Sequence, residues 1–210
     1  LKIEDLSGRL AAIADDELLR VLLETVPVCD IELERCLTGL RAILLDAAAE
    51  GPATPSEDGL LRFCSVLARQ CFINEYVFAT TPEEATNIDD LRRAIAGNSP
   101  SAMQIAALAM YVPLHTVPSA SALLERKWNP HIEAVLTQQL REPAQEKELR
   151  DLIPLLTAIE DDVSKRVRQQ YEENPYPRWV HAAGQVTSMP IDQYLRDQFP
   201  TAAFAPLGKT

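Results

Sequence analysis

The chain has 210 residues, 47% of them hydrophobic, and a net charge of −11 that arises from 31 acidic and 20 basic residues. This composition is typical of a globular protein, and the length suffices for one sizeable helical domain or two small ones. A surface this acidic repels phosphate groups, so the composition argues against direct binding to nucleic acid or to an anionic membrane.

Apolar residues recur with the 3.6-residue period of an α-helix along most of the chain, and only seven glycines stand against fifteen prolines. The pattern predicts an all-α fold, either a multi-helix antiparallel bundle or a short array of helical hairpins, with an extended Pro- and aromatic-rich C-terminal segment. We assign residues 1–173 to the helical domain and residues 174–210 to the extended linker or lid.

The first predicted helix runs from Asp5 to Val26, and Asp30 is a suitable N-cap for the second. The third, Leu60 to Phe78, is apolar on most sides, which is typical of a central helix. Six apolar residues of the first helix are predicted to face the core: Leu6, Leu10, Ile13, Leu18, Val21 and Leu22.

Proline positions predict the later helices. Thr81–Pro82 is an N-cap followed by a proline at the first helical position, and that helix ends at Gly97. Asn129–Pro130 opens another, and Glu142–Pro143 restarts a shorter one that reaches Leu156. A further helix after Thr157 carries a narrow apolar stripe, and a short helix spans residues 191–198. The stripe consists of Ile159, Val163, Val167 and Tyr171.

The four cysteines are Cys29, Cys36, Cys64 and Cys71, two pairs with seven-residue spacing that places each pair on one helix face. We expect small core hydrophobes in a reducing cytoplasm, since zinc ligands are usually closer in sequence. The apolar run Ile105–Leu114 is far shorter than the ~20 residues of a spanning helix. Because the chain begins at Leu1, we expect it to be a piece of a longer protein.

Several catalytic and cofactor motifs are missing from the sequence. It contains no Gly-x-Gly, no P-loop and no alternating β/α pattern, so a glycine-rich turn that lets the backbone approach a nucleotide cofactor is not present. The three histidines, His115, His131 and His181, are far apart, and we expect surface or capping groups rather than metal ligands. The sequence therefore predicts no catalytic residue, no metal site and no cofactor in this chain.

The stretch Ile159–Val180 includes the string Tyr-Glu-Glu-Asn-Pro-Tyr-Pro-Arg-Trp at residues 171–179. It closely resembles a segment of bacterial class I SAM-dependent methyltransferases that have helical, often tetratricopeptide-containing, N-terminal regions. Gln70–Phe78 and Tyr111–His115 are similar to the same family, and Pro206–Thr210 looks like the approach to its first cofactor-binding strand.

The resemblance implies that the parent protein is a transferase that uses S-adenosylmethionine, with its catalytic domain beyond this chain. This chain is then a non-catalytic accessory domain that contributes substrate docking, dimerisation or a lid. The implied partners are the parent's own C-terminal methyltransferase domain and a protein partner or a second copy.

Five residues of the string at residues 171–179 are the candidates for contacts with substrate or for a lid: Tyr171, Asn174, Tyr176, Arg178 and Trp179. Aromatic side chains offer large apolar faces, arginine offers a planar donor fork, and the prolines lower the entropy lost on docking. The alternative is that Tyr176 and Trp179 pack on the helical domain and fix the angle between domains.

A second function remains open, that of an independent helical module that binds another protein. Acidic patches on the helices could receive a basic partner, or they could simply solvate the helix surfaces. The patches are Asp15–Glu17, Glu83–Glu84, Asp89–Asp90 and Asp161–Asp162.

Overall fold

A computed structural model describes six parts of the chain, residues 9–49, 58–97, 99–150, 152–154, 161–173 and 190–201. Over these residues the fold is all-α, as the sequence predicts, and they contain no strand. The chain divides into two compact units, Leu1–Val180 and His181–Thr210. The predicted boundary after residue 173 adjoins residues outside the described part and stays a prediction.

The described residues of the first unit form, in chain order, the helices α1 (Leu10–Ala14), α2 (Glu17–Thr25), α3 (Ile31–Ala49), α4 (Asp58–Ile73), α5 (Pro82–Ala96) and α6 (Ala102–Ala109). Two 3-10 turns follow, Leu114–Thr116 and Ala120–Glu125. The unit continues with α7 (Pro130–Leu136), a π-helical turn (Thr137–Arg141), α8 (Glu142–Arg150) and α9 (Asp162–Glu173). The second unit contains α10, Ile191–Gln198, a helix predicted with the same bounds.

Helix α4 is the centre of the core, as its apolar sequence predicts. Between Phe63 and Asn74 every residue except Arg69 is buried, and the helix packs against α2, α6 and α7. Helix α3 packs in turn against α5 and α6. Cys64 and Cys71 are buried in this core as predicted, whereas Cys29 is exposed.

Helix α4 ends earlier than predicted. It stops at Ile73 because Glu75 and Tyr76 have positive φ angles of 56° and 57°, a left-handed conformation that a helix cannot continue through. The Tyr76 N–H donates to the Cys71 carbonyl at 2.8 Å and closes the helix end. The apolar pattern continues to Phe78 because that residue, although it lies beyond the end of the helix, is buried in the core.

The first predicted helix, Asp5 to Val26, is broken in two within its described part. Asp16 has an extended backbone and its carboxylate accepts a hydrogen bond from Leu19 N–H at 3.0 Å, so it is the N-cap of α2. Aspartate favours such a cap over a helix interior. The break changes the helical phase, and the predicted inward orientation is wrong for Leu18, Val21 and Leu22, which are 79%, 48% and 39% exposed.

Other helix ends follow the sequence signals. Asp30 accepts from Leu33 N–H at 2.8 Å, and Thr81 forms a capping box with Glu84. Asn129 caps α7, and Gly97 is the C-cap of α5. These predicted start and stop positions are confirmed.

The predicted interruption at Glu142–Pro143 is absent, because α7, the π-helical turn and α8 form one continuous helix. Proline has no N–H to donate, and its ring clashes with the carbonyl four residues earlier. The wider π turn directly before Pro143 takes up this misfit, and it directs Gln138 and Gln139 into the core. Helix α8 ends at Arg150, short of the predicted Leu156, since Pro154 disfavours a helix before it.

Candidate functional site

The structure describes one of the five predicted lid or substrate residues. Tyr171 lies on α9, is 64% exposed, and shares a face with Val163 and Val167. The other four candidates, Asn174, Tyr176, Arg178 and Trp179, lie outside the described residues. The lid therefore stays a prediction.

Residues 70–78 and residues 111–115 contact each other. The rings of Phe72 and His115 lie edge to face with their centroids 6.3 Å apart, and Phe72 makes a similar contact with Tyr76 at 6.4 Å. The Tyr76 hydroxyl donates to the carbonyl of Ala109, just before the second stretch, at 3.3 Å. Residues 70–78 and 111–115 thus form one structural feature at the ends of α4 and α6.

A buried arginine joins the same two stretches. Arg41 on α3 is 1% exposed, and its guanidinium carbon lies 4.0 Å from the ring centroid of Tyr111 and 5.7 Å from that of Phe78. One guanidinium nitrogen donates to the carbonyls of Ala79 and Phe78. The aromatic faces and carbonyls compensate the buried positive charge, and its position explains how the segment after α4 is held.

Tyr111 connects this arginine to the start of α5. Its hydroxyl donates to a carboxylate oxygen of the buried Glu84 at 2.5 Å, and the other oxygen accepts from Thr81 N–H at 2.6 Å. Burial raises the pKa of Tyr111 above its ordinary range, and the bond to Glu84 acts in the same direction. We call Arg41, Tyr111 and Glu84 the buried polar cluster, which connects α3, α5 and the segment that follows α6.

The two buried thiols near this cluster are not suited to nucleophilic chemistry. Burial raises the pKa of Cys71 to about 12, and the charge of Arg41 only partly opposes that effect. Burial also raises the pKa of Cys64. Because the thiolate is the reactive form, both residues act as apolar filling of the core.

Asn74 is the unusual residue of this region. Only 2% of the residue is exposed to solvent. Neither the nitrogen nor the oxygen of its side-chain amide has a hydrogen-bond partner in the described part. It directly precedes the left-handed pair Glu75 and Tyr76. Buried polar groups without partners are rare in folded proteins. Nothing in the sequence marks Asn74 or Arg41, since a buried polar residue in a helical pattern resembles a surface residue. Glu84 was expected in a surface acidic patch and is instead buried.

Among the described residues, exposed apolar side chains cluster on α2, α9 and α10 and at the end of α8. On α2 the face comprises Leu18, Val21 and Leu22, and Val26 extends it. On α9 the stripe comprises Val163, Val167 and Tyr171, and α10 and its end expose Ile191, Tyr194 and Phe199. Clustered exposed apolar residues of this kind mark interaction surfaces more often than single ones do.

The acidic patches are occupied by local partners. Asp16 and Asp161 accept from backbone N–H groups at helix starts, and for Asp161 these bonds lower the pKa of the carboxyl. Glu84 is buried in the polar cluster. Four further acids pair with arginines or lysine on the same or a neighbouring helix: Glu17 with Arg20 and Arg62, Asp89 with Arg92, Asp90 with Arg93, and Asp162 with Lys165. These charges mainly cap and solvate helices.

A pocket of about 290 Å³ lies between α5 and the second 3-10 turn. Both apolar and polar side chains line the pocket, and Arg126 is one of them. The guanidinium carbon of Arg126 lies 4.2 Å from the ring centroid of Trp128. The described residues include no group of three His, Cys, Asp or Glu side chains that could hold a metal ion. Along the same residues no helix has the length and hydrophobicity needed to cross a membrane.

Comparison with known proteins finds no family model, no curated protein and no solved structure that matches the chain. The resemblance to methyltransferases therefore depends on the residues quoted for it.

Proposed function

We propose that this chain is the non-catalytic helical accessory domain of a cytoplasmic SAM-dependent methyltransferase. It contributes substrate docking, dimerisation or a lid to a catalytic domain beyond Thr210. The observation that supports this most is the contact between residues 70–78 and 111–115, the two internal stretches that resemble the family. These two stretches are far apart in sequence. The simplest reason for both to resemble the same family is that together they build one structural feature of it.

The exposed face on α10 supports a contact with that catalytic domain. Ile191, Tyr194 and Phe199 are at least half exposed, and they belong to the unit that leads toward Thr210. Because each side chain is already about half buried, covering the rest stabilises an interface by about 0.7–1.5 kcal/mol each before the entropy of association is subtracted. We propose that this face docks on the catalytic domain.

Calorimetry with S-adenosylmethionine tests the proposal. We expect no heat of binding with the 210-residue chain and clear binding with the longer parent protein. Binding to the 210-residue chain alone would contradict the division of labour. A parent sequence without a glycine-rich cofactor loop after Thr210 would contradict the methyltransferase assignment.

The lid is tested in the parent protein by replacing Tyr176 and Trp179 with alanine. A lid excludes water and holds the methyl donor near its acceptor. We therefore expect a lower kcat and a weaker affinity for S-adenosylmethionine, with the thermal stability retained. If kcat and cofactor affinity stay unchanged, the string is only a linker.

A second candidate is an independent helical module that binds another protein. The exposed apolar face on α2 favours this second candidate, because the face belongs to the helical unit and is remote in sequence from the C-terminal segment. A sequence that ends at or soon after Thr210 would support this candidate over the first.

A further inference from the structure

We infer that α2 of one chain packs against α9 of a second copy, and that two such contacts form a reciprocal dimer. The inference depends only on the surfaces of this chain. It is independent of S-adenosylmethionine, so its failure would remove only the dimerisation alternative of the proposed function.

The face on α2 has the geometry of a helix-binding surface. At 100° per residue, Leu18, Val21, Leu22 and Thr25 fall within one third of the helix circumference. Leu19, Arg20 and Leu23 on the opposite side pack into the core. The exposed face is about 10 Å long from Leu18 to Thr25, at 1.5 Å of rise per residue.

The stripe on α9 matches that face in length. Val163, Val167 and Tyr171 are spaced by four residues, so they lie one above the other on a single face. Their span is about 12 Å. All three side chains are exposed, by 61%, 45% and 64%, so nothing in the described part covers them.

Charged residues beside the two faces are of opposite sign. Glu17 and Glu24 lie along one edge of the α2 face, at positions that the helical period brings together. Arg166 and Arg168 flank the α9 stripe on its two sides, and Arg168 already pairs with Glu172 on the same helix. Although Glu17 and Glu24 already contact Arg62 and Arg69 of α4, the Glu17 side chain is 71% exposed and retains room for a second partner. Such pairs set the orientation more than the affinity.

The partner helix comes from a second copy rather than from the same chain. In the described structure both faces are exposed together, and Leu18 and Tyr171 are each more than half exposed. A single chain therefore leaves both faces unpaired, whereas two copies related by a two-fold axis pair both at once. Reciprocal contacts of this kind close the assembly and limit it to two copies.

Sedimentation equilibrium of the 210-residue chain from about 1 to 200 μM, a range suited to a small interface, tests the inference. We expect a monomer–dimer equilibrium whose Kd rises at least about tenfold for Val21→Asp and for Val167→Asp. Leu149→Asp on α8 is the matched control, an equally exposed apolar residue outside both faces, and should leave Kd unchanged. All three positions are exposed, so the thermal midpoints should stay close to that of the unaltered chain.

Mixing the two variants identifies the pairing. A Val21→Asp chain retains an intact α9, and a Val167→Asp chain retains an intact α2, so their mixed dimer contains one undamaged contact. We expect the mixture to associate more strongly than either variant alone. A purely monomeric chain at 200 μM, or a Val167→Asp chain that dimerises normally, would overturn the inference; in the latter case α2 pairs with itself.

Discussion

Arg41 is the residue on which the buried polar cluster depends. A lysine could keep the charge but lacks the planar guanidinium, which lies over Tyr111 while one of its nitrogens donates to the Phe78 and Ala79 carbonyls. We expect Arg41→Lys to lower the free energy of unfolding by about 2–4 kcal/mol, because it leaves a buried charge poorly compensated. Urea denaturation measures this.

Arg92→Lys on α5 serves as the comparison for Arg41→Lys, since Arg92 makes only an exposed ion pair with Asp89. Such pairs contribute about 0–1 kcal/mol. Equal effects of the two substitutions would contradict the role of Arg41.

Buried Cys64 and Cys71 make the stability sensitive to alkaline pH. Burial raises the pKa of both thiols, so the folded chain keeps these protons while the unfolded chain loses them above pH about 8.5. The unfolded state then binds fewer protons, and the free energy of unfolding falls as pH rises, by up to about 1.4 kcal/mol per pH unit for each thiol. Below pH 8 the contribution is fully present.

Urea denaturation under reducing conditions between pH 7.5 and 9.5 checks this slope. The double variant Cys64→Ala, Cys71→Ala should show a flatter dependence on pH, although it is less stable at pH 7.5. Cys29→Ala removes an exposed thiol and should leave the slope as it is. An unchanged slope in the double variant would show that other groups cause it.

Little in the sequence predicts the buried polar cluster. Arg41 stands in a helix with ordinary amphipathic spacing, and only the tertiary fold brings Tyr111 and Phe78 over it. Glu84 has a clear local signal, the capping box with Thr81, but that signal does not reveal the bond to Tyr111. Local pattern predicts a residue's helix and cap, whereas its burial depends on which helices meet.

At the scale of the element, the π-helical turn offers a matched pair of buried glutamines. Gln139 accepts from Leu114 N–H at 3.2 Å and donates to the carbonyls of Ala68 and Ala109. The side-chain oxygen of Gln138 is buried and has no hydrogen-bond partner among the described residues. Leucine has a similar size to glutamine and makes no hydrogen bond. The two substitutions therefore differ in the hydrogen bonds they remove.

We expect Gln139→Leu to lower the free energy of unfolding by about 2–3 kcal/mol, because Leu114 N–H is left buried and unpaired. Gln138→Leu should change it by less than about 1 kcal/mol, in the stabilising direction, since it removes an unsatisfied group. Thermal and urea unfolding of both variants give the comparison. A larger loss for Gln138→Leu would mean that an unseen partner satisfies that oxygen.

The sequence predicts where the helices begin better than it predicts which face of each helix is buried. The caps at Asp30, Thr81 and Asn129 depend on neighbours three residues away, so the sequence contains the whole signal. The break at Asp16 carries an equally local signal, yet it was outweighed by the apolar period that runs across it. The shifted phase reverses the orientation of Leu18, Val21 and Leu22, which is why the sequence pattern does not predict the exposed face on α2.

At the scale of the whole molecule, the apolar faces and the net charge act against each other. The faces on α2 and α9 favour association, but each chain carries a net charge of −11. Two chains of this length in contact have centres roughly 40 Å apart. At 20 mM salt, where the Debye length is about 20 Å, the repulsion between them is on the order of 1–2 kcal/mol.

Raising the salt concentration to 300 mM shortens the Debye length to about 6 Å and removes nearly all of this repulsion. The apolar contacts between α2 and α9 do not depend on screening. We therefore expect the dimer to become roughly tenfold tighter between 20 and 300 mM sodium chloride, measured by sedimentation equilibrium. The exposed Arg and Glu pairs at the edges lose their attraction over the same range, but each contributes less than about 1 kcal/mol. A dimer that salt weakens would show that those edge pairs, rather than Leu18, Val21 and Val167, hold the two copies together.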